Sequence, residues 1–166
     1  MTFKSGDRVV YPHHGAAIIE KTETIEFGGE KTKYFVLKTA HDDLTVRVPV
    51  DKVDEVGMRP PISLEDVEDL FVLLSKKDVR EPANWSRRFK NHQEKLKSGD
   101  VYQVAEVVRN LALRESAKGL SAGEKNMYSK ARKVLVSELS FALEVSEDDA
   151  MDQVDAQLVA DPIDED

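Results

Sequence analysis

The sequence predicts an α+β protein in which a small Tudor- or SH3-like β-barrel precedes a compact α-helical bundle. Hydrophobic residues alternate with polar ones in the first third of the chain, and from Arg59 onward they recur with helical spacing. Between the two patterns, Pro60-Pro61 ends the strand-like part. We therefore expect a barrel domain over residues 1–58, a helical domain over residues 59–143 and an acidic, disordered tail over residues 144–166.

The first third of the chain contains four segments with the composition of short β-strands. They are rich in β-branched residues, and Gly28-Gly29 provides a hairpin turn between the second segment and the third. No helical pattern interrupts them, which is typical of a small barrel. The segments are Arg8–Tyr11, 16–27, 34–37 and 44–50.

The last of these segments has two features of an edge strand. Pro49 cannot donate a hydrogen bond to a neighbouring strand, so it favours a position at a sheet boundary. Alternation puts Arg47 on the side opposite the apolar face, where it is available to a partner. Such an edge either pairs with a partner's strand or is an ordinary solvated edge with a solvated arginine.

Four helices are predicted after the proline pair. Apolar stripes at helical spacing and short connections between them indicate a compact bundle. Each helix is preceded by a capping signal, and the last two signals resemble a capping box. The capping residues are Ser63, Asn84, Asp100 with Gln103, and Ser121 with Glu124.

The composition of the 166 residues limits the classes of function. The chain has no cysteine, which excludes thiol catalysis, disulfides and thiolate metal sites. No apolar run is long enough to cross a membrane, so we expect a soluble cytoplasmic protein without membrane contact. His13-His14 lies in a Pro/Gly turn, and His41 and His92 are isolated. We therefore expect a protein that is not an enzyme and that uses no cofactor or metal.

The net charge of −8 conceals a strong segregation of charge along the chain. Residues 81–140 carry 12 basic and 7 acidic side chains, whereas residues 141–166 carry 10 acidic and no basic ones. A basic block inside an acidic protein indicates a polyanionic partner, because a polyanion responds to the local potential. The acidic end is either a solubilising extension or a competitor of nucleic acid for the basic block.

The strongest local feature is the stretch 84–97, in which Trp85, the only tryptophan, opens a helix that carries five cations. The residues alone leave two interpretations of Trp85. It is either a core residue beneath a solvated basic helix, or an apolar wedge on a surface whose cations hold phosphates. Arg87 and Lys90 share one side of this helix, and Lys125 stands beside another helix N-terminus suited to a phosphate.

Four stretches of the sequence resemble the CarD/CdnL family of bacterial transcription regulators. They occur in the family's order and span about residues 1 to 140. The stretches are VVYPHHGAA (9–17), LTVRVP (44–49), EPANWSRR (81–88) and GLSAGEK (119–125).

The resemblance implies two binding surfaces. The Tudor-like domain would bind the β subunit of RNA polymerase, like the corresponding domain of transcription-repair coupling factor. The helical domain would contact promoter DNA at the upstream edge of the transcription bubble. In the family, the tryptophan matching Trp85 wedges into the minor groove, and the arginine matching Arg47 lies in the polymerase-binding surface. Family members carry a basic residue where this chain has Ile25.

We therefore expect a bacterial transcription regulator that stabilises the open promoter complex. It would bind the holoenzyme with the housekeeping sigma factor as a monomer, show little DNA sequence preference, and join the nucleoid through RNA polymerase. The alternative is a protein–protein adaptor on RNA polymerase that makes no DNA contact and buries Trp85. The expected DNA-binding residues are Trp85, Arg87, Arg88, Lys90 and Lys125. The expected RNA polymerase-binding residues are Ile25, Thr45, Val46 and Arg47.

Overall fold

The computed structural model describes residues 2–12, 14–40 and 42–159. Among these residues, the part of the chain up to Pro49 forms one antiparallel sheet of four strands. The strands are β1 (Arg8–Tyr11), β2 (Gly15–Phe27), β3 (Glu30–Thr39) and β4 (Thr45–Pro49), and the strand order is β1-β2-β3-β4. Because β1 and β4 end this order, the position of β4 at a sheet edge, predicted from Pro49, is confirmed.

The sheet curls into a half-barrel. A bulge between Ile19 and Lys21 shifts the register of β2 against β3, and such a bulge bends the strand and increases its twist. Beyond the bulge, β2 and β3 continue past the end of β4 to the predicted turn at Gly28-Gly29. Both glycines have positive φ, which is the conformation that a two-residue turn between twisted strands needs.

The concave side of the half-barrel holds a small apolar core. Alternation along each strand brings one set of side chains to this side, and the segment after β4 closes it. That segment begins with the short 3-10 helix Val50–Lys52. The core residues are Val9, Ala17, Ile19, Phe35, Leu37, Val48, Val53 and Met58.

Five α-helices follow the half-barrel within the part of the chain that the structure describes. Ser63, Asn84, Asp100 and Ser121 cap four of them as predicted, each accepting a backbone hydrogen bond through its side chain. Asp100 accepts from Tyr102 at 2.8 Å and not from Gln103, so the capping box predicted for Asp100 with Gln103 is not formed. Ser121 and Glu124 complete a capping box at the start of the longest helix. The helices are α1 (Leu64–Ser75), α2 (Trp85–Lys97), α3 (Val101–Ala117), α4 (Ala122–Leu143) and α5 (Glu147–Val159).

The acidic tail that we expected to be disordered is, over Glu147–Val159, the helix α5. Ala150 and Val154 of this helix are fully buried in the helical core, and α5 packs against α1 and α4. On the outer side, Asp155 accepts a hydrogen bond from Arg132 of α4 at 2.6 Å. The prediction of disorder was wrong because it followed the acidic composition of the segment and missed a short apolar stripe at helical spacing. The residues of this stripe pack in the helical core.

Arg59 joins the half-barrel to the helices. Its main chain pairs with Val10 of β1 through hydrogen bonds in both directions. Its guanidinium donates from Nη1 and Nη2 to Oε2 and Oε1 of Glu138 on α4, each at 2.8 Å. Glu138 is buried and also accepts from the main chain of Ile62 at 2.9 Å. One arginine therefore belongs to the sheet by its backbone and to the helical bundle by its side chain.

A close approach of β2 to α4 makes a second link. The main-chain N–H of Ala16 donates to Oγ of Ser137 at 3.1 Å, in a buried position. A Cβ atom on Gly15 would stand 2.8 Å from the same oxygen, and Gly15 has φ +83°. Only glycine fits this position without moving α4, because both the space and the backbone conformation exclude a side chain. The predicted division into domains at residue 58 stays a prediction, since these contacts cross it.

Within the described ranges, none of the helices combines the length and the apolar character that crossing a membrane requires.

We predict that Glu138→Ala lowers the free energy of unfolding by about 3 kcal/mol, because it leaves the Arg59 guanidinium without its buried partner. Chemical denaturation monitored by circular dichroism measures this. Glu55→Ala is the matched control, since Glu55 forms an exposed pair with Lys52 at 3.4 Å. Removing that pair should cost less than about 1 kcal/mol. Equal losses in the two variants would show that the Arg59–Glu138 pair does not hold the half-barrel to the bundle.

Candidate nucleic-acid and protein interfaces

Trp85 is a surface residue whose ring packs against a second aromatic residue. It is the first residue of α2, and 44% of it is exposed. Its ring stacks on Phe89, with centroids 4.9 Å apart and 12° between the planes. Phe89 in turn lies against Gly123 in the first turn of α4. The interpretation of Trp85 as a core residue is therefore wrong, and the indole is a supported apolar projection.

The indole also has a polar partner. Nε1 of Trp85 donates to Oε1 of Glu124, in the first turn of α4, at 3.2 Å. Burial acts to raise the pKa of Glu124, but the hydrogen bonds from Ser121 and Trp85 and the charge of Arg88 together outweigh it and hold this pKa below its usual range. The acceptor is thus a carboxylate at neutral pH.

Three of the cations predicted for DNA binding are exposed and lie close along the chain to Trp85 or to its partner Glu124. Arg87 and Lys90 are in the first two turns of α2, which begins at Trp85, and Lys125 is next to Glu124 in the first turn of α4. The starts of α2 and α4 are joined by the Trp85–Glu124 hydrogen bond. An exposed aromatic ring and three exposed cations consequently share one end of the helical bundle.

Arg88 differs from the other predicted DNA-binding residues. It is only 2% exposed, its Nη1 donates to the main-chain oxygen of Pro82 at 3.3 Å, and its Nε lies 3.7 Å from Oε2 of Glu124. A guanidinium in this position does not reach a phosphate at the surface. The assignment of Arg88 to direct DNA contact was wrong, because helical spacing places it on the side of α2 that faces α4.

His92 and Glu81 form a partly buried pair that the sequence did not reveal. His92, expected to be isolated, is 2% exposed, and its Nε2 lies 2.8 Å from Oε2 of Glu81. Burial acts to raise the pKa of Glu81, but the close contact and charge of His92, with the charges of Arg88 and Lys95, outweigh it and lower this pKa. The pair anchors the segment that leads into Trp85.

The exposed edge of the half-barrel is the second surface. Thr45 and Arg47 of β4 are exposed, and Val46 is half-buried against the sheet core. Nε of Arg47 donates to Oε2 of Glu23 on β2 at 3.3 Å, so the side chain lies across β3. A partner that binds at this edge can pair with the main chain of β4 and can also contact the charge of Arg47.

Ile25 lies apart from the other residues predicted for polymerase binding. It pairs with Thr32, whereas Arg47 pairs with Val36. The four-residue difference along β3 corresponds to about 13 Å. Ile25 is 38% exposed and belongs to the hairpin arm beyond the end of β4. The strand register thus brings Thr45, Val46 and Arg47 together but leaves Ile25 at a distance.

No cluster of three or more metal-ligating side chains occurs within residues 2–12, 14–40 and 42–159. His13 and His41, which we considered as ligands, lie outside the described residues. His14 is described and stands near Tyr11, with ring centroids 5.2 Å apart.

The structure thus has two exposed surfaces, the β4 edge of the half-barrel and the Trp85 end of the helical bundle. Comparison with known proteins gives the class of protein to which they belong. The CarD-like/TRCF RID domain model matches residues 3–62, and the CarD C-terminal domain model matches residues 69–155. The chain is also 34% identical over 145 residues to Putative transcription factor YdeB of Bacillus subtilis (strain 168), covering 87% of this chain and 95% of that protein.

The chain therefore belongs to the CarD-like family, as its sequence motifs indicated. This is a family of transcription factors and not of enzymes. The matched domains support a transcription-related role that involves RNA polymerase.

We predict that the Glu81 carboxylate contributes stability at neutral pH that is lost in acid. A lowered pKa in the folded state means that this stability is complete above the ordinary glutamate value of about 4.3 and disappears as the pH falls through the lower, folded value. The difference in melting temperature between the wild type and Glu81→Gln should thus be largest near pH 7 and shrink below about pH 4.3.

Glu94→Gln, a change at an exposed position of α2, the helix that carries His92, provides the control for this series. It should leave the melting temperature nearly unchanged at every pH. A difference for Glu81→Gln that stays constant from neutral to acid pH would contradict the coupling of Glu81 ionisation to folding.

Proposed function

We propose that this protein binds the β subunit of RNA polymerase through β4 and the upstream edge of the promoter bubble through Trp85, and that it thereby stabilises the open complex. It would act as a monomer on the holoenzyme that carries the housekeeping sigma factor. The observation that carries this proposal is the exposed, stacked indole of Trp85 beside three exposed cations.

The chemistry of this end of the bundle suits distorted DNA. An apolar wedge between base steps holds a minor groove open, and unstacking one step costs a few kcal/mol. Trp85 would favour DNA that polymerase has already distorted, because that cost has then been met. Phe89 behind the indole keeps the ring from folding back when it meets the bases.

The cations would supply the second part of the DNA contact. Arg87, Lys90 and Lys125 are placed to meet phosphates, which carry no base sequence information. Contacts of this type release counterions and weaken as salt rises. We therefore expect weak binding to isolated DNA, with little sequence preference.

The polymerase contact would use the open edge of the half-barrel. β4 has its outer main-chain groups on the side away from β3, where a strand of the β subunit can add to the sheet. Arg47 belongs to the same strand and adds a charge that selects the partner. Thr45 and Val46 complete the contact, whereas Ile25 would reach a separate point on the polymerase.

The junction between the half-barrel and the helices would couple the polymerase contact to the DNA contact. Arg59 and Glu138 fix the half-barrel on α4, so polymerase binding presents Trp85 to the DNA at a high effective concentration. The helical end would then bind the bubble edge in the complex even though it binds free DNA weakly.

We predict that the wild-type protein lengthens the lifetime of open complexes and that Trp85→Ala removes most of this effect. An aromatic ring stacked on a base contributes about 1 to 3 kcal/mol, so loss of the indole should shorten the lifetime by about tenfold. The measurement is the decay of open complexes formed by the housekeeping holoenzyme after addition of a competitor, with no protein, wild type or Trp85→Ala.

Two controls define this experiment. Trp85→Ala must fold, as its melting temperature reports, and must still bind polymerase. If the wild type binds polymerase but leaves the lifetime unchanged, the protein is an adaptor without a DNA contact. If Trp85→Ala prolongs the lifetime as well as the wild type does, the wedge is excluded.

We further predict that Arg47→Glu weakens binding to DNA-free polymerase by about tenfold or more, because it places a repelling charge in the docking strand. Lys77→Glu makes the same charge change at an exposed position between α1 and α2, and should leave this affinity unaltered. Titration of immobilised polymerase measures both variants. Equal weakening would mean that net charge, and not the β4 surface, governs the association.

A further inference from the structure

We propose that Glu124 is a positioning residue that fixes the Trp85 indole in the orientation in which it meets DNA. The proposal rests on the proposed function, because the orientation matters only if Trp85 is the wedge. It goes beyond that function by naming a buried residue on a different helix as the one that prepares the wedge.

Both carboxylate oxygens of Glu124 are committed. Oε1 accepts from Nε1 of Trp85 at 3.2 Å and from Oγ of Ser121 at 3.0 Å. Oε2 lies 3.7 Å from Nε of Arg88 and 3.5 Å from Nε of Arg114. One buried side chain therefore connects residues of α2, α3 and the start of α4.

A capping box alone does not require this arrangement. In a capping box the glutamate needs only to reach the N-cap residue, which is Ser121 here. Glu124 is only 3% exposed, and two of its partners, Trp85 and Arg88, belong to α2, a helix that is distant in sequence. The contacts with α2 are additional to the cap, and they converge on the residue that carries the proposed DNA contact.

Two restraints together define the direction of the indole. Stacking on Phe89 fixes the plane of the ring but permits rotation within that plane. The hydrogen bond from Nε1 to Glu124 removes this rotation, because it ties one edge of the ring to α4. The opposite edge then points outward. A wedge that is ordered beforehand loses less conformational entropy when it binds.

Arg88 and Arg114 give this arrangement its strength. Two guanidinium groups beside Oε2 favour the ionised form of Glu124, and a charged acceptor makes a stronger hydrogen bond than a neutral one. The buried Arg88 therefore acts beneath the wedge, through Glu124, and not on the DNA.

The first test uses the fact that Trp85 is the only tryptophan of the chain, so intrinsic fluorescence reports this side chain alone. We expect Glu124→Gln and Glu124→Ala to give faster local rotation of Trp85 in time-resolved anisotropy, with the larger effect for alanine. Ser121→Ala is the matched control, because it breaks the capping box but leaves the indole its acceptor. It should destabilise α4 and keep the slow rotation. Slow rotation in both Glu124 variants would overturn the proposal.

The second test is a double-mutant cycle on the open-complex lifetime. Trp85→Phe keeps an aromatic ring but has no N–H to donate. Glu124→Gln should shorten the lifetime at least about twofold when Trp85 is present, the lower limit for one weakened hydrogen bond, and should have no effect in combination with Trp85→Phe. A purely structural role of Glu124 predicts the same shortening in both backgrounds, and that result would overturn the proposal.

The two tests separate this proposal from the proposed function. If Trp85→Ala leaves the lifetime of the wild type unchanged, the wedge fails, and the anisotropy still decides whether Glu124 orients the indole. If Trp85→Ala shortens the lifetime while the Glu124 variants keep slow rotation and full lifetime, the wedge stands and the positioning role fails.

Discussion

The ion pair between Arg59 and Glu138 is the constraint on which the rest of the molecule depends. Arg59 is paired with β1 through its main chain and with α4 through both ends of its guanidinium. A bidentate contact fixes direction as well as distance, so it sets how the half-barrel lies on the bundle. The contact of Ala16 with Ser137 and the lack of a side chain at Gly15 hold the same two elements together. These contacts fix the position of the β4 edge relative to the Trp85 end of the helical bundle.

Charge has two different uses in the helical part. At the surface, Arg87, Lys90 and Lys125 are exposed and suit phosphates, whose attraction needs no fixed geometry. Beneath the surface, Arg88 and Glu124 are buried and support a single orientation of Trp85. Buried ion pairs add little stability compared with apolar packing, and one attested use of them is structural specificity. The segment between α1 and α2 follows the same pattern, since the pair of Glu81 and His92 anchors it.

The local sequence pattern predicted some elements correctly and others wrongly. The edge position of β4 followed from Pro49, because a missing N–H excludes an interior strand. The helix caps and the hairpin turn are likewise local, and the capping box of Ser121 with Glu124 formed as expected. In contrast, α5 was missed because its charge dominates its composition, although Ala150 and Val154 are buried. Arg88 was assigned to the surface because sequence alone does not say which side of α2 faces α4.

The sequence by itself determined β1 to β4, α1 to α4, the helix caps, the separation of strands from helices, and the family, because each depends on neighbouring residues or on short motifs. Only the tertiary structure decided the partners of Glu124, Arg59 and His92, because each contact joins segments that are far apart in the chain. It also decided that Trp85 is exposed and that Ile25 lies away from Arg47, since exposure and register depend on how whole elements pack. Local preferences act within a few residues, whereas the orientation of a functional side chain is set by packing between elements.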